Sequence, residues 1–124
     1  GVMGGGSARG TQLKGSRLGC ALLTGVDLSG ADLSGATAHG VRLEGAKLEN
    51  TSFRRTNLKS ARMAGAHLVQ ADLRGAALPA AVLDGVRADD ANFEKARMRS
   101  AGLDGASARG ARLRGADLSH AKAR

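Results

Sequence analysis

A five-residue unit repeats along the whole chain without an insertion or deletion. Its clearest copies are Ala31–Gly35, which reads ADLSG, and Ala116–Ser119, which reads ADLS. Placing the apolar centre of the unit at positions 3, 8, 13 and onward gives 25 centres, of which 15 are Leu, 3 Met, 2 Phe and 5 Ala. The position two residues before the centre is Ala in 16 units. Each unit therefore has two small or apolar positions and three variable ones.

The charged residues indicate which positions face inward. The chain has 19 basic and 11 acidic residues, and none of them occupies a centre or the position two residues before it. These two positions are therefore predicted to form the core. A period of five matches neither the helical period of about 3.6 nor the strand period of about 2, which predicts a short extended segment followed by a corner. Because such a unit buries its apolar side only by stacking on further units, the sequence predicts an all-β solenoid.

Glycine predicts how many units close one coil. Sorted with a period of 20 residues, the position two after the centre is Gly at every member of one column, at 5, 25, 45, 65, 85 and 105. Sorted with a period of 15 residues, the glycines spread evenly over the columns. Corners that need a positive φ favour glycine, so the 20-residue sorting predicts a coil of four units.

These features resemble the pentapeptide-repeat family, and the resemblance covers the whole chain. It implies one domain, residues 1–124, folded as a right-handed quadrilateral β-helix with four pentapeptides per coil and about six coils. Residues 1–10 are predicted to fray, because Met3 and Ala8 are poor centres, and residues 121–124 form an incomplete repeat. Pro79 lacks a backbone donor, so the repeat tolerates it only if that position points away from the ladder or the local pairing gives way.

Composition limits the setting of the protein. Cys20 is the single cysteine, which rules out an internal disulfide and favours a reducing cytoplasm. The sequence contains no uninterrupted apolar run long enough to predict a membrane-spanning helix. The preference for Arg over Lys, together with abundant Ala, indicates a bacterial source with a GC-rich genome.

The net charge of +8 is unevenly distributed over the four predicted sides. Side 1 contains the centre Leu23, side 2 Leu28, side 3 Leu33 and side 4 Leu58, and their net charges are +1, 0, +4 and +3. Sides 3 and 4 are therefore predicted to form a basic binding face. Its members are Arg54, Arg55, Lys59, Arg74, Lys95, Arg97, Arg99, Arg112 and Arg114. Within it, Arg74, Glu94 and Arg114 are predicted to stack as a ladder of alternating charge.

The sequence lacks the patterns that catalysis or metal binding requires. His39 and His120 share side 4 but lie four coils apart, about 19 Å by the spacing of stacked strands. Asp84 and Asp104 are predicted to be stacked neighbours on an open convex surface, where a solvated pair is expected rather than an acid and base. We therefore predict that the protein is not an enzyme and holds no cofactor or metal.

Three functional hypotheses remain. The first is a non-catalytic scaffold whose basic sides bind an acidic protein, a phosphate-rich surface, or nucleic acid through its backbone alone, since no outward aromatic residue can stack on bases. The second is implied by the resemblance: quinolone-resistance and self-protection members of the family bind DNA gyrase and topoisomerase IV with an acidic rod that resembles DNA, although this chain is basic. The third is a repeat segment of a longer protein or an idealised repeat, whose uncapped ends would allow homo-oligomers by end-to-end pairing.

Overall fold

The fold is a stack of pentads joined by parallel pairing. A computed structural model describes residues 5–124, and within them there is no helix and no strand longer than a single bridging residue. Twenty parallel bridges run from Ser7↔Asp27 to Gly102↔Lys122, and each joins two residues that are 20 positions apart. Four pentads therefore separate each residue from its partner, which is the interval that the glycine columns predicted.

Each pentad contributes one short extended segment and one corner. In the pentad centred on Leu28, the backbone N–H of Leu28 donates to Lys47 O at 2.8 Å, and that of Gly30 donates to Glu49 O at 2.9 Å. The corner closes with a turn bond from Ala31 N–H to Leu28 O at 2.9 Å. All 24 described corner positions, from 5 to 120, have a positive φ of 55–71°, whether or not they are glycine. The predicted left-handed corner is thus a property of every pentad.

Pro79 fits the repeat because its position donates no ladder bond, while its carbonyl still accepts one from Ser60 N–H at 2.9 Å. In its pentad, Leu78 N–H donates to Arg97 O at 2.6 Å and Ala80 N–H to Arg99 O at 2.8 Å. The residue between them would direct its N–H outward, so proline costs the ladder nothing. Proline is also favoured at the second position of a turn whose third residue, here Ala80, has positive φ. The first of the two predicted alternatives is therefore correct.

The core contains the two predicted columns. Leucine, methionine and phenylalanine centres are fully buried through the middle of the stack, and the preceding alanines and valines pack beside them. Thr51 and Thr56 are the buried polar residues of the described range, and each donates its hydroxyl at 2.7 Å to a backbone carbonyl, that of Leu28 and Leu33 respectively. The few buried hydroxyls are thus satisfied.

The two ends of the stack are less well covered. Leu113 and Leu118 are 44% and 38% exposed, and they border an apolar cup of about 90 Å³ together with Phe93 and Met98. At the other end, Ser7 pairs with Asp27, while residues 1–4 of the segment predicted to fray lie outside the described residues. Over residues 5–124, nothing helical has the length and apolarity that crossing a membrane requires.

Candidate anion-binding face

The basic residues predicted as a binding face divide between two sides of the stack. The bridges Ser52↔Asp72↔Asn92↔Arg112 align the side 3 pentads, and Asn57↔Ala77↔Arg97↔Asp117 align those of side 4. Three of the predicted residues belong to side 4: Lys59, Arg97 and Arg99. The other six belong to side 3: Arg54, Arg55, Arg74, Lys95, Arg112 and Arg114.

Side 3 carries three consecutive shallow grooves. The first, about 360 Å³, is lined by Lys14, Ser34, Gly35, Arg54 and Arg55. The second, about 290 Å³, shares Arg54 and Arg55 with the first and adds Arg74, Gly75, Glu94 and Lys95. The third, about 390 Å³, shares Glu94 with the second and adds Arg112, Leu113 and Arg114. We call the three together the side 3 trough.

The trough differs from the predicted face in two respects. Lys14 lines it, although the sequence prediction left that residue out. Lys59, Arg97 and Arg99 do not line it, because their pentads turn toward the neighbouring side. The missing signal was the shape of the surface, since charge alone made sides 3 and 4 look equivalent.

Glycines at alternate corners make room for the cations of the trough. A Cβ added at Gly75 would lie 3.6 Å from Cγ of Arg55, and one added at Gly115 would lie 3.3 Å from Cγ of Lys95. The long side chains of Arg55 and Lys95 therefore lie along the stack, over the glycine of the next coil. Arg55 and Lys95 adopt φ of 55° and 60° in the same left-handed conformation as those glycines.

Asp72 neutralises part of the positive charge. Arg74 donates to it from Nη2 at 2.7 Å and from Nε at 3.0 Å, and Nε of Arg54 lies 3.9 Å from its Oδ2. Burial alone would raise the pKa of Asp72, but the bond from Arg74 and the charges of Arg74 and Arg54 outweigh it and hold that pKa below the ordinary value. Arg74, Glu94 and Arg114 share one column, as predicted. The carboxylate of Asp72, and to a smaller extent that of Glu94, raises the pKa of Arg74, but the ion pair that Arg74 forms is with Asp72 of its own pentad.

The Asp or Asn before the centre has a role that the sequence analysis missed. Its side-chain oxygen accepts a hydrogen bond from the backbone N–H two residues later, the outward-pointing donor of the corner. The distances are 2.9 Å from Ser34 N to Asp32, 3.1 Å from Arg74 N to Asp72 and 3.0 Å from Glu94 N to Asn92. These bonds give Asp and Asn a structural role at that position, which other residues there do not supply.

Within residues 5–124, the acidic residues and the cysteine form neither a metal site nor a disulfide. No cluster of three or more His, Cys, Asp or Glu side chains within that range is placed to hold a metal ion. Oδ1 of Asp84 accepts a hydrogen bond from the backbone N–H of Asp104 at 3.3 Å, so this stacked pair has a structural role. Cys20 is exposed and free.

Comparisons with known proteins address the repeat itself. The family model for pentapeptide repeats matches residues 9–45, 39–75, 66–102, 78–115 and 91–124. A comparison with curated protein sequences gave no match. Among solved structures, the chain resembles the pentapeptide-repeat protein Rfr23 from the cyanobacterium Cyanothece 51142, with 26% identity, a TM-score of 0.59 and coverage of 98% of this chain and 86% of that one.

A second structure, trypsin-treated QnrB1, is a plasmid-mediated fluoroquinolone resistance protein. It matches with 19% identity and a TM-score of 0.55, over 94% of this chain and 68% of that one. At that identity the likeness concerns the fold alone. The repeat register, the corners and the family match agree, and the chain belongs to the pentapeptide-repeat family.

Proposed function

We propose that this protein is a non-catalytic scaffold, a right-handed quadrilateral β-helix of about six coils, that binds an acidic macromolecule along side 3. The observation that carries the proposal is the side 3 trough: three consecutive grooves on one side, each lined by basic side chains. On the lone Cys20 and the Arg-rich composition, we propose a bacterial cytoplasm as its setting.

The chemistry of the trough suits a polyanion. Five of its seven cations are arginines, whose planar guanidinium group matches the oxygens of carboxylates and phosphates better than an ammonium does. Each corner is held by ladder and turn hydrogen bonds, so the cations are mounted on a backbone that needs no ordering when a partner binds. The electrostatic potentials of cations in neighbouring coils sum along the trough, and this favours an extended anionic partner over a small anion.

Interaction with DNA gyrase or topoisomerase IV is the second candidate. It rests on the family resemblance and on the fold that the chain shares with a fluoroquinolone resistance protein. Mimicry of DNA requires a negative rod, and this chain has a net charge of +8. A gyrase supercoiling assay with and without a quinolone tests this candidate, and neither protection nor inhibition at micromolar protein would remove it.

A pair of charge-reversal variants tests the scaffold proposal. Arg55→Glu with Arg114→Glu changes two exposed cations of the trough, while Arg87→Glu with Arg109→Glu makes the same change in net charge on side 2. Binding to a labelled DNA duplex and to polyglutamate is measured for both. We expect the side 3 variant to lose more than about tenfold in affinity for the polyanion that binds, and the side 2 variant to lose much less. Equal losses, or no binding of either polymer by the wild type, would refute the proposal.

A further inference from the structure

In many pentads of the described range, the outward backbone N–H of the residue after the centre donates no hydrogen bond within the protein, and in the side 3 trough this holds at Lys14, Arg54 and Arg114. We consider Arg54, which lies between two grooves of the trough. In this column the corner N–H groups of Ser34, Arg74 and Glu94 are each capped by the preceding Asp or Asn. At Arg54 the capping position holds Ser52, whose hydroxyl is paired with that of Ser34 at 2.9 Å. The N–H of Arg54 donates no hydrogen bond to any residue that the structure describes.

The capped corners show which kind of acceptor this N–H binds. The partner in the neighbouring coils is an oxygen of a carboxylate or an amide, placed on the outer surface of the stack. Arg54 occupies the same column, so its N–H faces the trough, where the cationic side chains of Arg54 and Arg55 line both adjoining grooves. An unpaired donor beside two guanidinium groups is an arrangement that favours an external oxyanion.

The same arrangement recurs at Lys14, where Gln12 provides no cap, and at Arg114. At Arg114 the capping position holds Arg112, and the Arg114 N–H also makes no hydrogen bond within the described range. The N–H groups of Arg54 and Arg114 are three coils apart, or about 14 Å by the spacing of stacked strands. One extended polyanion can therefore contact both, whereas a single small anion contacts only one.

We propose that the Arg54 corner binds a phosphate group in the backbone of a nucleic acid duplex, with the N–H of Arg54 and the Arg55 guanidinium as its donors. This rests on the proposed function of side 3 and names its partner. An acidic protein fits less well, because protein interfaces have apolar and aromatic anchors and Leu113 is the single large apolar side chain of the trough. A duplex fits better than a single strand, because the trough has no aromatic residue on which bases could stack.

Substitution of one serine tests the free N–H without changing charge. In Ser52→Asn the new amide takes the position from which Asn92 caps its corner, so it should occupy the Arg54 N–H. The matched control is Val82→Asn, which places the same amide before Asp84 on side 1, opposite the trough. Ser52→Ala removes the hydroxyl pair with Ser34 and adds no cap. Thermal unfolding of each variant establishes that it is folded before binding is measured.

The assay is titration of a labelled 20-base-pair DNA duplex, in two unrelated sequences, followed by fluorescence anisotropy. We expect Ser52→Asn to weaken binding by about tenfold for both sequences, because a hydrogen bond to a charged group is lost, while Val82→Asn and Ser52→Ala bind like the wild type. Arg55→Ala should reduce the slope of log affinity against log salt by about one phosphate contact, whereas Ser52→Asn should leave it unchanged.

The outcomes separate this inference from the function on which it rests. Duplex binding by the wild type with equal affinity in Ser52→Asn would overturn the phosphate corner and leave the basic scaffold standing. Binding of polyglutamate in preference to the duplex would also overturn it, in favour of an acidic protein. Absence of binding to both polymers would refute the scaffold itself.

Discussion

Replacing the same residue type in the middle and at the end of the stack tests the assigned core. Leu73 is fully buried between the stacked centres Phe53 and Phe93, whereas Leu118 is 38% exposed beside the open apolar cup. A Leu→Ala change removes three carbons, or about 2.4 kcal/mol of transfer free energy at full burial. At Leu73 the enclosed cavity adds to this, which gives a loss of about 3–4 kcal/mol. At Leu118 part of the side chain is already in water and no closed cavity forms, so we expect about 1.5 kcal/mol.

Urea unfolding of Leu73→Ala and Leu118→Ala measures the difference. The midpoint should fall with an unchanged m-value, since neither variant alters the surface exposed on unfolding. Arg74→Ala is the control on the outer surface, and its exposed ion pair with Asp72 should be worth less than about 1 kcal/mol. Equal losses at Leu73 and Arg74 would show that the register of the pentad is wrong, and equal losses at Leu73 and Leu118 would refute the argument from burial.

Three further outcomes follow from the corners. Ala80→Gly should raise stability by about 0.5–1 kcal/mol, because Ala80 has a φ of 58°, which glycine adopts without strain. Ala77→Gly, at a bridging position, should lower the melting temperature. The reverse order would contradict the turn geometry. Asp32→Ala should lower the melting temperature, because it removes the cap on the Ser34 N–H. Asp32→Asn should keep most of the wild-type melting temperature, since Asn caps the equivalent N–H groups at Lys59 and Glu94. Identical losses in the two variants would assign the effect to charge. Hydrogen bonds from the serine hydroxyl and backbone hold the pKa of Asp32 below its ordinary value of 3.8, so this contribution is complete above that value and is lost as the pH falls through the lower folded pKa; acid unfolding that is insensitive to Asp32→Ala would argue against it.

The core and the corners of this fold were predictable because they depend on composition at fixed positions. Leu73 was assigned to the interior from the absence of charge in its column, and it is fully buried. The left-handed corners were predicted from glycine, yet Arg55 and Lys95 adopt the same conformation. Side chains occupy these corners because the ladder bonds of every coil impose the turn, whatever residue stands there.

The candidate site was predictable only in part. Summed charge identified sides 3 and 4, but it did not reveal that Lys14 joins the trough or that Arg74 binds Asp72 within its own pentad. Both depend on side-chain rotamers and surface shape, which a count of charges omits. The unused N–H of Arg54 could not be predicted either, because a serine can cap the N–H two residues later or pair with another side chain. The hydroxyl of Ser52 pairs with that of Ser34 in the preceding coil, a contact that depends on the rotamers of both serines.

The salt dependence of binding tests the central claim, that the side 3 trough binds a polyanion, most directly. Five cations of the trough lie outside the ion pairs with Asp72: Lys14, Arg55, Lys95, Arg112 and Arg114. If each contacts one phosphate, the slope of log affinity against log salt for a DNA duplex is about −4.5, and affinity falls about 500-fold between about 50 and 200 mM salt. An affinity for both the duplex and polyglutamate that is unchanged over this range would contradict the claim.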